Sequence, residues 1–437
     1  MNYFIILPNQ LFDLSFYNKK NNYIIYEHPQ YFTKYNFNKK KLILHKASME
    51  LFYDNMKKNK YNVKYVLFNK NIGYNDNNTY TIYDPIDNIK LPKNITILES
   101  PNFLCSKELL QKYRDKTDKF YFTNFYMYMK NELNILKNVK SKDKDNRKKL
   151  PKDIIVPKID IIPNNLYINK AKKYIDKHFK NNYGNTDNFN YPICKKHTEK
   201  RLDLFIKERF NLFGDYEDFF DNNKEHHHLY HSVLSSSINI GLINPLDIIK
   251  IIKKYKSKIS INSYEGYIRQ LFWREYQRYC HIYIDFTKLD YFNNNKNLTN
   301  KWYSGKLECE PVDYCIKKAF DTAYLHHIER LMVIGNYMNL SGIKPKEGFK
   351  WFMEFSIDSY EWVMYQNVLD MVFFVSGGKT MRKPYISSSN YILKMSYYSK
   401  KDKWTDKWDK LFHSFLKKNA SKMKKFTYSY PIVKKYL

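Results

Sequence analysis

The sequence predicts an α/β domain followed by an all-α domain. Three observations carry that prediction: strand-length apolar runs alternate with helical stretches in the first third of the chain, a charged and proline-punctuated crossing follows, and apolar residues then recur at helical spacing to the end. The runs YFIIL (3–7), YIIYE (23–27), VKYVLF (63–68) and NITILES (94–100) are short, and KLILHKASMELFYDNMKKN (41–59) is long enough to cross between neighbouring strands. Parallel strands need such crossovers, so a Rossmann-like sheet is expected over residues 1–137. No GxGxxG follows the first run, and dinucleotide binding of the usual kind is not indicated there.

The stretch NVKSKDKDNRKKLPKDIIVPKIDIIP (138–163) has no periodicity and reads as a crossing between domains. With the polar run KNNYGNTDNFNYP (180–192), expected to be a loop, it sets an interdomain linker at 138–195. From KRLDLFIKERFNLF (200–213) onward the period is helical, giving an all-α domain over 196–437. Glycine is scarce, and Gly214, Gly241, Gly305, Gly377 and Gly378 fall at expected turns. No internal repeat is found.

At 437 residues the chain is long enough for more than one core. Its 75 Lys and Arg against 44 Asp and Glu leave a formal charge of +31, which attracts polyanions, nucleic acid first among them. A Lys-, Asn- and Tyr-rich composition with solvated lysines is the plainer account of the same charge. Cysteines stand at 105, 194, 280, 309 and 315 with no CxxC, which points away from a zinc ribbon or a disulfide scaffold and towards reduced, intracellular thiols. The start, MNYFIILPNQLFDL, lacks a basic n-region, and no apolar run approaches the roughly 18 residues of a membrane span, so neither secretion nor a membrane partner is expected.

Four stretches carry candidate chemistry. In HSVLSSSINIGLINP (231–245) hydroxyls precede a helical run, the composition of an anion site at a helix start and equally of a plain N-cap. EGYIRQLFWREYQRYCH (265–281) is amphipathic, with Trp273 reading as a core aromatic. In YLHHIERLMVIGNY (324–337) His326 and His327 are adjacent; on a helix their side chains would diverge by about 100°, which disfavours a shared zinc. The fourth stretch runs through WFMEFSIDSYEWVMYQNVLDM (351–371) to SGGKTMRKPYISSSNY (376–391). The run HHH at 226–228 reads as a solvated accident, three side chains diverging in a polar loop.

Taken together, residues 313–391 resemble the photolyase-related branch of the cryptochrome/photolyase flavoproteins, the branch known for iron-sulfur members, and the resemblance extends over nearly the whole chain. It implies a photolyase-like architecture: an antenna-type α/β domain and an all-α domain that binds FAD. Ser232 and Ser235 match the serines of the flavin-phosphate motif TSxLSPxLxxG, with His231 in place of its Thr and Ser236 in place of its Pro. Gln270 and Arg274 fall where relatives contact the cofactor, Arg330 and Asp358 match an ion pair set against the flavin ring, and Met364 takes the place of a polar residue facing flavin N5, with Asn367 close by. His326, His327 and Tyr385 match the residues that meet a DNA lesion, with His327 the expected proton donor and His326 its support. Trp302, Trp351 and Trp362 are candidates for electron hopping. LPNQL (7–11), YEHP (26–29) and LHKASM (44–49) resemble the border of an antenna pocket that holds a lumazine in relatives, although Asn9 stands where many have Asp.

The resemblance thus implies a monomeric light-driven repair enzyme, of (6-4) photolyase type, in which reduced FAD passes an electron to a flipped-out pyrimidine lesion in UV-damaged DNA. A cryptochrome-type blue-light photoreceptor that binds FAD without repair is the alternative, and a flavin-free nucleic-acid binder a third. The branch's four-iron cluster needs four cysteine thiolates. Only Cys315 lies near a ligand position, and MSYYSKKDKWTDKWDKLF offers Ser399 and Thr405 but no cysteine, so no iron-sulfur cluster is expected.

Overall fold

The computed structural model describes residues 1–401 and 403–437. β1 (Asn2–Ile6), β2 (Asn22–Tyr26), β3 (Asn62–Val66), β4 (Thr79–Tyr83) and β5 (Ile95–Leu98) form one parallel sheet in the order β3-β2-β1-β4-β5. β1 is central, pairing with β2 from Tyr3↔Asn22 to Ile6↔Ile25 and with β4 from Asn2↔Thr79 to Ile5↔Ile82. Covered on both faces, it can afford no exposed polar side chain in its second half, and Ile5 and Ile6 are fully buried. β4 is the strand that the apolar runs do not reveal. Its sequence TYTIY alternates threonine with tyrosine and isoleucine, and in a chain with 42 tyrosines that pattern does not stand out.

α1 (Lys39–Lys58) is the crossover. It starts where Asn38 Oδ1 accepts from Lys40 N–H at 2.9 Å, an N-cap that supplies one of the otherwise unpaired first-turn bonds. Residues 40–49 are buried all round, because this helix is enclosed by the sheet, by a second helix and by the all-α domain. α2 (Phe122–Glu132) leads out of the α/β region. α3 (Leu166–His178) begins at Asn165, whose Oδ1 accepts from Tyr167 and Ile168 N–H, and it packs along α1 through Ile168, Ala171 and Ile175. Between α2 and α3 only the single turn Asp143–Asp145 is helical, and residues 180–192 form a loop.

Beyond β5 the described residues form no further strand, only the isolated bridge between Lys296 and Ile343. α4 (Ile261–Tyr283), 23 residues and about 35 Å long, is the axis of the all-α domain. The helix Phe210–Tyr216, α2 and the run Glu361–Val372 pack on it, and the domain also contains α5 (Glu310–Thr322), α6 (Pro345–Phe355) and α7 (Trp404–Lys418). Two wide-turned π stretches, Glu329–Gly335 and Tyr365–Val372, continue from or into ordinary helix. Four of the five expected turn glycines hold positive φ; Gly214 does not, and lies inside the helix Phe210–Tyr216. There a Cβ would stand 2.8 Å from Ser263 N at the start of α4, so glycine serves a close helix crossing rather than a turn. Among the described residues no helix is long and apolar enough to cross a membrane.

One hydrophobic core runs through both domains. The residues from Ser356 to Trp362 form their seam. The Ser359 carbonyl accepts from Lys41 Nζ, Tyr360 Oη lies 2.9 Å from His45 Nε2, and Glu361 accepts from Gln30 Nε2 (2.8 Å) and Tyr35 Oη (2.7 Å). Trp362 N–H donates to Asp87 Oδ1 at 2.8 Å, and burial, with Glu361 close by, pushes the Asp87 carboxyl up to about 7.

Candidate functional site

A cavity of about 1170 Å³ opens between the middle of α4, the segment 324–332 and the Tyr365–Val372 stretch. Its volume exceeds the roughly 300–1,000 Å³ of ordinary small-ligand sites. Every residue expected to touch a cofactor or a lesion lines it: Ser232, Ser235, Gln270, Arg274, Arg330 and Asp358, then Met364 and Asn367, and His326, His327 and Tyr385. Trp302, Trp351 and Trp362 do not.

The polar part of the wall is built around Asp358. Its Oδ1 accepts from Arg330 Nη1 at 2.9 Å and from Ser356 Oγ at 2.5 Å, and its Oδ2 from Ser235 Oγ at 2.5 Å. Burial alone would raise this carboxyl; the Arg330 charge and the hydroxyl donors outweigh it and hold Asp358 below the usual carboxylate range. Ser235 therefore does not cap its helix. Ser235–Asn239 is only five residues long, Leu234 occupies the cap without a side-chain bond, and the Ser235 hydroxyl is spent on Asp358. Ser232 Oγ instead accepts from Tyr267 Oη at 3.3 Å.

Two residues that the motifs do not flag complete this wall. Asn239 donates from Nδ2 to the Asp358 carbonyl (2.9 Å) and accepts at Oδ1 from Arg274 Nε (2.9 Å), while Arg274 also donates to the Asn102 carbonyl (2.7 Å). Gln277 Nε2 donates to Asn367 Oδ1 at 2.7 Å, so that carbonyl is already engaged. Met364 is buried and brings no polar atom.

The two adjacent histidines do not sit on one helix. His326 precedes its helix: α5 ends at Ala323 in a left-handed conformation (φ 59°), and residues 324–326 are not helical. The side chains of His326 and His327 are therefore not held to the divergence of about 100° between helical neighbours that is expected from the sequence. His231, His326 and His327 each offer a ring nitrogen, all within 4.8 Å of one another. The His231 and His326 rings stack at 4.9 Å and 17°. Burial drives both well below the ordinary imidazole value, assisted in each by the neighbouring histidines.

His327 differs. Its side chain is 41 % exposed, and its Nε2 lies 3.1 Å from Asp218 Oδ1. Desolvation would lower it, but that bond and the charges of Asp218 and Glu217 prevail and raise its pKa. Asp218 in turn accepts from Tyr391 Oη (3.4 Å) and pairs with Arg147 (3.4 Å). Tyr385 is half-buried in the cavity wall, and burial raises its phenol, leaving a neutral hydroxyl there.

Of the tryptophans, Trp351 has its ring 5.3 Å from Phe352, which lines the cavity, and its Nε1 donates to the Trp302 carbonyl at 2.8 Å. The Trp302 ring lies 5.9 Å from Tyr337, Tyr337 lies 5.1 Å from Trp408, and Trp408 lies 6.1 Å from Trp404, a row of oxidisable rings whose last three members carry no sequence signal. Trp362 sits apart, edge-on to Phe103 at 5.3 Å with the Arg274 guanidinium 5.1 Å from its ring. Trp273, expected in the core, lines the cavity and stacks on Phe122 at 3.7 Å.

The triple histidine is not solvated. His226 meets Asp221 (2.7 Å), His227 meets Tyr314 Oη (2.8 Å) and His228 packs on Tyr324, all half-buried and facing three different partners. The motif residues of the α/β domain also bond to one another. Glu27 is held by Lys46 (2.7 Å), Tyr65 (2.8 Å) and Tyr174 (2.9 Å), while among the described residues Asn9 Oδ1 and His45 Nδ1 are buried without a partner in bonding geometry.

Comparison with known proteins agrees with this architecture. Residues 4–88 and 70–191 match the family described as deoxyribodipyrimidine photo-lyase-related protein. The chain is 31 % identical over 321 residues to the (6-4) photolyase of Agrobacterium fabrum; the match takes in 69 % of this chain and 63 % of that protein's length. It is 52 % identical over 93 residues, 21 % of this chain and 76 % of the relative, to an uncharacterised protein of Acanthamoeba polyphaga mimivirus. Among solved structures, it shares its fold with a bacterial class III photolyase from Agrobacterium tumefaciens (TM-score 0.60, 15 % identity, 95 % of this chain and 86 % of that one). The Synechocystis cryptochrome is similar as well (TM-score 0.58, 15 % identity, 90 % and 88 %). With its parallel antenna-type sheet, its all-α domain and these relatives, the chain belongs to the cryptochrome/photolyase superfamily, in the photolyase-related branch.

Proposed function

We propose that this protein is a light-driven DNA repair enzyme of (6-4) photolyase type, with FAD in the large cavity. The observation that carries the reading is His327, a cavity-lining imidazole that Asp218 holds towards its protonated form. The cavity has room for the cofactor, and Ser232, Ser235, Gln270, Arg274, Arg330, Asp358, Met364 and Asn367 are the residues that would hold it. A bound reduced flavin supplies an electron on absorbing light.

The chain's own part is position and protons. Restoring a (6-4) lesion requires an oxygen to move between two bases, and a proton delivered to that oxygen makes the transfer feasible. With Nε2–H of His327 given to Asp218, Nδ1–H is the proton free to be donated. Neutral His326 and His231 crowd the donor without competing for its charge, and the Tyr385 hydroxyl is available to orient the lesion. The Arg330 guanidinium, donating to the Leu325 carbonyl (2.7 Å) as well as to Asp358, fixes the segment that carries both histidines. The net charge of +31 serves the phosphates of damaged DNA. A pigment seat in the α/β domain is proposed beside the orphaned Asn9 Oδ1 and His45 Nδ1. No cluster is proposed, since residues 394–437 contain no cysteine to complete four thiolates.

The test is illumination of the purified, reduced protein with an oligonucleotide carrying one (6-4) lesion, beside a cyclobutane-dimer control. Restoration of the (6-4) lesion alone is expected, and His327→Ala should lower it about 10²–10⁴-fold with flavin content unchanged. Restoration of neither lesion would leave the second reading, a cryptochrome-type photoreceptor. Met364 favours that second reading, because a thioether gives a flavin ring no strong hydrogen bond.

A further inference from the structure

We propose that His231, His326 and His327 form a binding site for a divalent transition ion of the imidazole-preferring class, Zn²⁺ foremost. Three independent features point there. The three ring nitrogens lie within 4.8 Å of one another, and three histidines with an open fourth position are a recurrent zinc donor set. Next, His231 Nε2 and His326 Nε2 are buried in side chains at least nine-tenths hidden, and among the described residues neither meets a hydrogen-bond partner in bonding geometry, with the Glu217 backbone near the His231 ring. Two orphaned nitrogens on stacked rings are costly to a protein that leaves them empty, and both belong to the cavity wall. Third, His327 has a carboxylate, Asp218, on one ring nitrogen, the partner that a metal-bound imidazole keeps on the nitrogen the metal does not take.

The site's other contacts are compatible with an ion. Glu329 Oε2 lies 3.7 Å from His326 Nε2, too far for a hydrogen bond, and its carboxylate is occupied by Lys318 at 2.7 and 2.9 Å. The Ile328 N–H donates to His326 Nδ1 at 3.3 Å, the one bond that is given up when Nε2 takes a metal and the proton moves to Nδ1. Tetrahedral zinc at about 2.0–2.1 Å asks for nitrogens about 3.3 Å apart, so the rings need to close by about an ångström or less each. His231 stands where the flavin-phosphate motif that this stretch resembles carries Thr.

The proposal does not rest on repair activity, because binding is read in the dark and without DNA. It has a consequence for that activity: an ion on His327 takes the imidazole out of proton donation, making Zn²⁺ an inhibitor. The full-length protein, stripped with a chelator, is titrated with ZnCl₂ by calorimetry. One Zn²⁺ per chain is expected, with affinity at least tenfold weaker in His231→Ala, weaker by about 10–100-fold in Asp218→Asn, and unchanged in His227→Ala. Zinc-edge anomalous diffraction from wild-type crystals soaked in ZnCl₂ needs no variant and should place a peak between the three rings. No peak there, or unchanged stoichiometry and affinity in His231→Ala, overturns the site. Flavin content of the same samples is recorded separately, so this outcome is distinct from failure of the flavoenzyme reading.

Discussion

Arg330 donates from Nε to the Leu325 carbonyl and from a terminal nitrogen to Asp358, so one guanidinium joins the histidine segment to the loop that carries the acid. The pair is only 17 % and 10 % exposed, and removing one partner of such a pair strands the other's charge. Asp358→Asn is therefore expected to lower stability by about 3–5 kcal/mol at neutral pH, read by urea unfolding. The folded-state pKa of Asp358 is depressed, so its contribution is present above the unfolded carboxylate value and is lost as pH falls through the folded one. The gap between wild type and variant should close in acid. Arg330 and Asp358 were legible because both stand in recognisable runs. Asp218 was not: it sits in an undistinguished EDFFD and finds His327 across 109 residues, a contact that only the tertiary fold creates.

At the level of elements, both π stretches border the cavity, Glu329–Gly335 carrying Arg330 and Tyr365–Val372 carrying Asn367. Wide turns displace a helix's register and re-aim side chains, and such bulges recur at functional sites. No apolar spacing announces them. The same blindness made His326 look helical, when the left-handed Ala323 had already ended α5 and freed the chain to bring three imidazoles together. α6, which carries Trp351 and Phe352, is seated by Gly348, where a Cβ would stand 2.3 Å from the Phe373 ring. Gly348→Ala must push the two apart and should cost about 1–3 kcal/mol in thermal or chemical unfolding. Helix periodicity placed α1 and α4, since both run long enough for their apolar residues to show a period; β4 was lost because its tyrosines and threonines fit a loop as readily as a strand.

Over the whole molecule, composition foretold a basic protein and motif order foretold two domains of different class, but neither says which surface meets a partner. If damaged DNA is that partner, the logarithm of affinity should fall linearly with the logarithm of salt concentration, with slope about −0.9 for each phosphate contacted. Fluorescence anisotropy at several salt concentrations measures it, and a flat response would separate the net charge from any role in binding. The run from Ser356 to Trp362 gives the α/β domain a further part to play. Asp358 faces the cavity, and the next residues bond to Lys41, His45, Gln30 and Asp87. One short strip of chain is thus a shared partition wall, plastered on both sides. Whatever fills the room on one side braces the other, and the α/β domain decides how firmly the groups that line the cavity are framed.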